Sequence, residues 1–145
     1  MARPDYPSRS RNPRAPPEKA PVVLIAEKDN LLRLMMAKLL QVSGYRIHTC
    51  GDGLQALKLI KRVSFDLVIT DLMMAGATGI EVLKATKRLQ PRAKVIIVTE
   101  TPSSETLLEA KYEGAYGYLP KPLQPKHFLA ILKDAIEHSK LSRAY

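Results

Sequence analysis

Short apolar runs alternate with longer segments whose apolar residues recur every three or four positions, from Val22 to Ile136. Val22–Ala26 is β-branched at Val22, Val23 and Ile25 and reads as a buried strand. Glu27, Lys28, Asp29 and Asn30 break it, and Asp29 or Asn30 is placed to cap the helix that follows. Leu31, Leu32, Leu34, Met35, Met36, Leu39 and Leu40 give that helix its apolar face, and Gly44 stops it. Residues 45–50 alternate as a second strand. Gly51, Asp52 and Gly53 turn the chain into a second helix marked by Leu54, Leu57, Leu59 and Ile60. Residues 65–69 form the most apolar strand, which predicts a central place in a sheet. Ile80, Val82, Leu83 and Leu89 mark a third helix closed by Pro91. A fourth strand over 95–98, a helix over 103–112, a fifth strand over 116–119 and a last helix over 125–137 complete the pattern.

Five strands alternating with five helices predict parallel strands joined by right-handed crossovers, with helices on both faces. The fold class is α/β: a flavodoxin-like, doubly wound five-stranded sheet in the order 2-1-3-4-5. In such sheets functional residues collect at the carboxyl ends of the strands. Glu27, Lys28 and Asp29 follow the first strand, Thr70 and Asp71 the third, Thr99 and Glu100 the fourth, and Pro120, Lys121 and Pro122 the fifth. Carboxylates, a hydroxyl and a lysine, drawn from nearly a hundred residues of sequence, are therefore expected on one edge.

Composition adds boundaries. Residues 1–21 hold six of the eleven prolines and five Arg or Lys against two acids, with few large apolar residues. This predicts a disordered basic arm, a single folded domain over 22–140 and a short tail over 141–145. The formal charge of +9 admits an acidic partner for the arm but makes nucleic acid no general expectation for the folded part. Cys50 is the single cysteine, so no internal disulfide is possible. Neither a signal-peptide core nor an apolar run of the ~20 residues that span a bilayer is present. A cytoplasmic protein without membrane contact is the expectation.

Four segments carry a resemblance: LIAEKD (24–29), DLVITDLMMAGATG (66–79), VIIVTE (95–100) and GAYGYLPKP (114–122). Together they resemble the receiver domain of two-component response regulators, here a stand-alone receiver. The resemblance implies that Asp71 is the phosphoacceptor. It further implies that Lys121 pairs with the phosphoryl oxygens, that Thr99 hydrogen-bonds them, and that Tyr118 is the aromatic which changes rotamer. Glu27, Asp71 and the backbone carbonyl of Met73 would hold Mg²⁺. A cis Lys121–Pro122 peptide is also implied. The module would be no enzyme beyond assisting its own phosphoryl transfer and dephosphorylation. A histidine kinase or phosphotransfer protein would donate the group, and a downstream protein would read the 103–137 face, with Tyr112, Tyr116 and Tyr118 as anchors.

Two departures matter. Lys28 stands where the family has a second acid, and Ala75 replaces a common proline. An ammonium at a ligand position predicts weakened Mg²⁺ binding, and a Lys28–Asp71 or Lys28–Glu27 ion pair in place of the metal. Two other readings stay open: a pseudo-receiver that is never phosphorylated, and a flavodoxin-like enzyme or nucleotide binder. The second has no G-x-x-x-x-G-K-[ST] loop to support it. His48, His127 and His138 are not spaced as ligands, and Asp66 lies at the entry of its strand, away from the active edge.

Overall fold

The computed structural model of the protein describes residues 19–144. Five strands, β1 (Val22–Ala26), β2 (Arg46–Cys50), β3 (Leu67–Asp71), β4 (Lys94–Thr99) and β5 (Gly117–Pro120), alternate with five helices. The helices are α1 (Asn30–Val42), α2 (Gly53–Arg62), α3 (Gly79–Leu89), α4 (Ser104–Tyr112) and α5 (Pro125–Ala144). All strand pairs are parallel and the order is β2-β1-β3-β4-β5, as the alternation predicts.

Strand periodicity divides the core in two. Val23, Ile25, Leu67, Ile69, Ile96 and Val98 face α1 and α5, where they meet Met36, Leu40, Phe128, Leu132 and Ile136. Leu24, Ala26, Val68, Val95 and Ile97 face α2, α3 and α4, against Ala56, Ile60, Leu83 and Ala110. With both faces covered, the inner strands carry no polar alternation, and this is why they read as continuous apolar runs.

Helix starts follow the side chains placed to cap them. Asp29 accepts from the Leu32 N–H at 2.8 Å, Asp52 from Gln55, Thr78 from Glu81 and Ser103 from Thr106. Ser103 is thus the cap of α4 rather than its first residue.

Three boundaries differ from the sequence reading. The central strand begins at Leu67, not at residue 65, because the Phe65 N–H donates to the Gln90 side chain at 2.7 Å instead of to a strand. It runs on through Thr70 and Asp71, whose register partners are Ile97 and Val98. The last helix continues well past residue 137 to Ala144, so the expected tail is largely helical. Ser139 is fully buried there and donates to the Arg92 carbonyl at 3.2 Å. Most of the expected arm lies outside the described residues. At its end Ala20 is buried, and the Arg46 guanidinium donates twice to its carbonyl, at 3.0 and 2.8 Å. The packed unit therefore begins ahead of Val22.

Two glycines set the loop after β3. A Cβ on Gly79 would lie 2.3 Å from the Asp71 carbonyl oxygen, and one on Gly53 would lie 2.1 Å from that of Ala77. Neither contact is possible for a larger residue without backbone movement. The Gly79 N–H donates to the Leu72 carbonyl (2.8 Å), which ties the two ends of the loop together, and the Gly53 N–H donates to the Ala75 carbonyl (2.9 Å), which holds its middle to the start of α2.

Candidate functional site

The strand periodicity that sorts the core also sorts the polar residues at the carboxyl ends. Glu27 and Asp71 extend the rows Val23–Ile25 and Leu67–Ile69, and Lys121 extends the row of Leu119, all on the α1 and α5 side. Thr99 and Tyr118 extend the opposite rows, toward α4. Backbone bonds fix the heights: the Leu72 N–H donates to the Val98 carbonyl at 3.1 Å and the Lys121 N–H to the Thr99 carbonyl at 2.8 Å. The Lys121–Pro122 peptide is cis, as the resemblance implies.

Lys121 is the centre of the cluster. Its Nζ donates to Glu27 Oε1 and lies 3.3 Å from Asp71 Oδ2 and 3.6 Å from Glu100 Oε1. Glu27 and Asp71 are almost completely buried, whereas the Glu100 side chain is 58% exposed and sits at the mouth. Burial, together with the neighbouring Asp71, pushes the Glu27 carboxyl up to about 7, although Lys121 works in the opposite direction. Burial alone would lower the Lys121 ammonium, but the Glu27 and Asp71 carboxylates outweigh it and raise its pKa. The site is therefore a buried carboxyl pair on one ammonium, with a third, solvated carboxylate outside.

Lys28 is not part of this pocket. It lies exposed on the loop before α1, and among the described residues no ion pair involves it. The expected Lys28–Asp71 or Lys28–Glu27 pair is thus overturned. Glu27 takes the inward direction at the end of β1, so its successor turns out, and Asp29 next to it is committed to capping α1. The Arg33 guanidinium also donates to the Glu27 carbonyl at 2.7 Å, placing a cation beside the backbone that carries Lys28. Lys121 fills the cationic place that was assigned to Lys28.

On the α4 side the Thr99 hydroxyl accepts the Thr101 N–H at 3.0 Å and lies 3.4 Å from the Thr101 hydroxyl. The Tyr118 hydroxyl accepts the Ser103 N–H at 3.1 Å and shares a 2.6 Å hydrogen bond with the Thr106 hydroxyl. Both side chains are thereby bound to the segment that starts α4. Met73 lies two residues past Asp71 with its side chain exposed. Asp66 is at the far end of β3, where it accepts the Val22 N–H at 2.9 Å. His48, His127 and His138 stand on β2 and α5, and among the described residues no three His, Cys, Asp or Glu side chains converge as a metal-ligand set.

Arg33 and Thr106 were missed in the sequence. Arg33 interrupts the apolar run of α1, a visible signal whose target, a backbone carbonyl, leaves no trace in sequence. Thr106 reads as an ordinary first-turn residue, and its partner Tyr118 is twelve positions away.

Comparison with known proteins matches this arrangement. The family model for the response regulator receiver domain matches residues 23–133. The transcriptional regulatory protein ZraR of Klebsiella oxytoca is 37% identical over 122 residues, which are 84% of this chain and 28% of that protein. The chain thus spans little more than a quarter of the length of that relative. A CheY-like receiver domain protein from Methanospirillum hungatei superposes with a TM-score of 0.82 at 24% identity, covering 85% of this chain and 98% of that one. A Burkholderia pseudomallei response regulator, whose structure holds a phosphorylated aspartic acid, a calcium ion and citrate, superposes with a TM-score of 0.73 at 25% identity, covering 86% of this chain and 73% of that one. The fold, the motifs and the extent of the match place this chain in the response regulator receiver domain family.

Proposed function

We propose that the chain is a phospho-aspartate switch in which Asp71 accepts a phosphoryl group. Receiver domains are signalling modules served by histidine kinases and phosphotransfer proteins, and they generally bind Mg²⁺. The observation that carries the specific reading is the position of Asp71, at the end of the central strand with the Lys121 ammonium 3.3 Å from Oδ2. A carboxylate oxygen attacks phosphorus and forms an acyl phosphate. Little other covalent chemistry is required, so the work of the site is to place the acceptor and to neutralise the transferred oxygens. Lys121 supplies the neutralising charge. Thr99 offers its hydroxyl from the adjacent strand, and to use it must release Thr101. Tyr118, bound to Ser103 and Thr106, relays that release to the start of α4. The 103–137 face, with Leu108 and Tyr112 strongly exposed, is the surface a downstream protein reads. Cytoplasmic placement belongs to the same reading, and no helix among the described residues is long and apolar enough to cross a membrane.

A divalent cation fits the carboxyl pair. Mg²⁺ takes one or two protein carboxylates and completes its shell with water and substrate phosphate oxygens. Glu27, Asp71 and the Met73 carbonyl would hold it, and it would supply positive charge to the transferring oxygens. Because Lys28 points away, it weakens this site by omitting an acid rather than by occupying the pocket. That omission is what favours the second reading, an interaction module that is not phosphorylated; retention of Asp71, Thr99 and Lys121 together opposes it.

Incubation with acetyl phosphate or phosphoramidate and Mg²⁺, followed by intact mass and peptide mapping, separates the two readings. One phosphoryl group on Asp71, absent in Asp71→Asn, is the expected result; a wild-type protein and a Glu100→Gln variant that both stay unmodified leave the pseudo-receiver.

Lys28→Asp exchanges a positive charge beside the site for a negative one and raises Mg²⁺ affinity, roughly tenfold, whereas Lys28→Ala, which only removes the positive charge, raises it less. Titration by calorimetry or tyrosine fluorescence checks both variants. Equal gains in the two would show that repulsion by the ammonium, not the missing negative charge, sets the affinity.

Glu27 also makes stability depend on pH. Its folded-state pKa of about 7 is above its ordinary 4.5, so the folded chain keeps a proton that the unfolded chain has lost. That contribution is complete below about pH 4.5 and disappears as pH rises through about 7. In metal-free buffer Glu27→Gln flattens the decline in melting temperature across this window, and an unchanged slope would assign it to another group.

A further inference from the structure

Three carboxylates share the Lys121 ammonium, and they are not alike. Glu27 and Asp71 are buried with it, and they account for its raised pKa. Glu100 comes from the loop beyond β4, is mostly solvated, and approaches from the open side at 3.6 Å. It therefore stands where a phosphodonor must enter, and it holds the cation that the donor's oxygens need. Three acids against one lysine give the mouth a formal charge of −2, or −1 when Glu27 keeps its proton.

Resting on the reading of Asp71 as phosphoacceptor, we propose that Glu100 is an electrostatic gate that discriminates against free phosphodonor anions in favour of a donor delivered by a protein. With acetyl phosphate, an Asp71 oxygen forms the new O–P bond, the bond from phosphorus to the acetyl oxygen breaks, and acetate leaves with that electron pair. The donor arrives as an anion and meets the Glu100 carboxylate before it meets Lys121. A docked protein with a basic side chain over the mouth pairs with Glu100 instead and draws it from Lys121. A solvated residue moves in this way at little cost, since an ion pair open to water contributes little to stability. Glu27 and Asp71 cannot do the same, because leaving the buried ammonium would strand charges away from water.

The test compares initial rates of Asp71 phosphorylation by acetyl phosphate, read by intact mass, in wild type, Glu100→Gln and Glu109→Gln. Glu109 is an exposed acid on α4 and serves as the charge control. Glu100→Gln is expected to react about threefold to tenfold faster at low salt, the size of effect one partly solvated charge exerts. The advantage should shrink toward unity as ionic strength rises, and Glu109→Gln should match wild type. Label on Glu100→Gln but not on wild type would support the gate in its strongest form. Equal or slower reaction of Glu100→Gln overturns the gate while leaving Asp71 as acceptor, and so does a gain that salt does not diminish. No label on any of the three proteins overturns the proposed function and the gate together.

Discussion

The site depends on one ammonium enclosed by carboxylates. Lys121 is buried to the extent that only 8% of its side chain meets water, and Glu27 and Asp71 beside it are more buried still. Taking such charges out of water is expensive, and each is tolerable only because the others are present. Removing one partner of a buried pair typically costs about 3–5 kcal/mol, since the remaining charge is left uncompensated. The cluster thus couples stability to chemistry. Whatever enters the pocket must substitute for part of this balance; under the proposed function a phosphoryl group would do so by bringing negative charge to Lys121 while Asp71 loses its own.

The sheet distributes the roles. Residues on one side of each strand continue from the α1 and α5 core into Glu27, Asp71 and Lys121. Residues on the other side continue from the α2–α4 core into Thr99 and Tyr118. The charged cluster and the hydroxyls bonded toward α4 therefore lie on opposite rows of the same strand ends, across β3, β4 and β5. Thr99, through Thr101, and Tyr118, through Ser103, are both bonded to the short connection that leads into α4. Receiver domains share this architecture; here Lys28 stands outside the pocket where the family has an acid, and Glu100 stands at its mouth.

Much of this was legible in the sequence. Continuous apolar strands between amphipathic helices pointed to a parallel sheet covered on both faces with the third strand central, and placing Glu27, Asp71, Thr99 and Lys121 at strand ends was enough to bring them to one edge. Boundaries were lost where side chains take over backbone duties, as Gln90 does for Phe65, or where a late residue packs, as Ser139 does in α5. Lys28 stands at the family's second acid position, and its charge complements Glu27 and Asp71, which together point it to the pocket. Strand alternation, read one residue further, turns it outward once Glu27 is inside, and Asp29 has no freedom to change that. Arg33 and Thr106 act on a backbone carbonyl and on a distant hydroxyl, and neither target has a local sequence signature.

The central claim is that Lys121 belongs electrostatically to Glu27 and Asp71, and its own titration tests this most directly. With ¹⁵N-labelled lysine, the Lys121 ammonium resonance can be followed with pH in wild type, Glu27→Gln and Asp71→Asn. The account predicts that Lys121 in the wild type titrates above the ordinary lysine value of 10.5 and falls toward or below it in each variant, as burial goes uncompensated. A wild-type Lys121 that titrates at or below that value, or one indifferent to both substitutions, would contradict it.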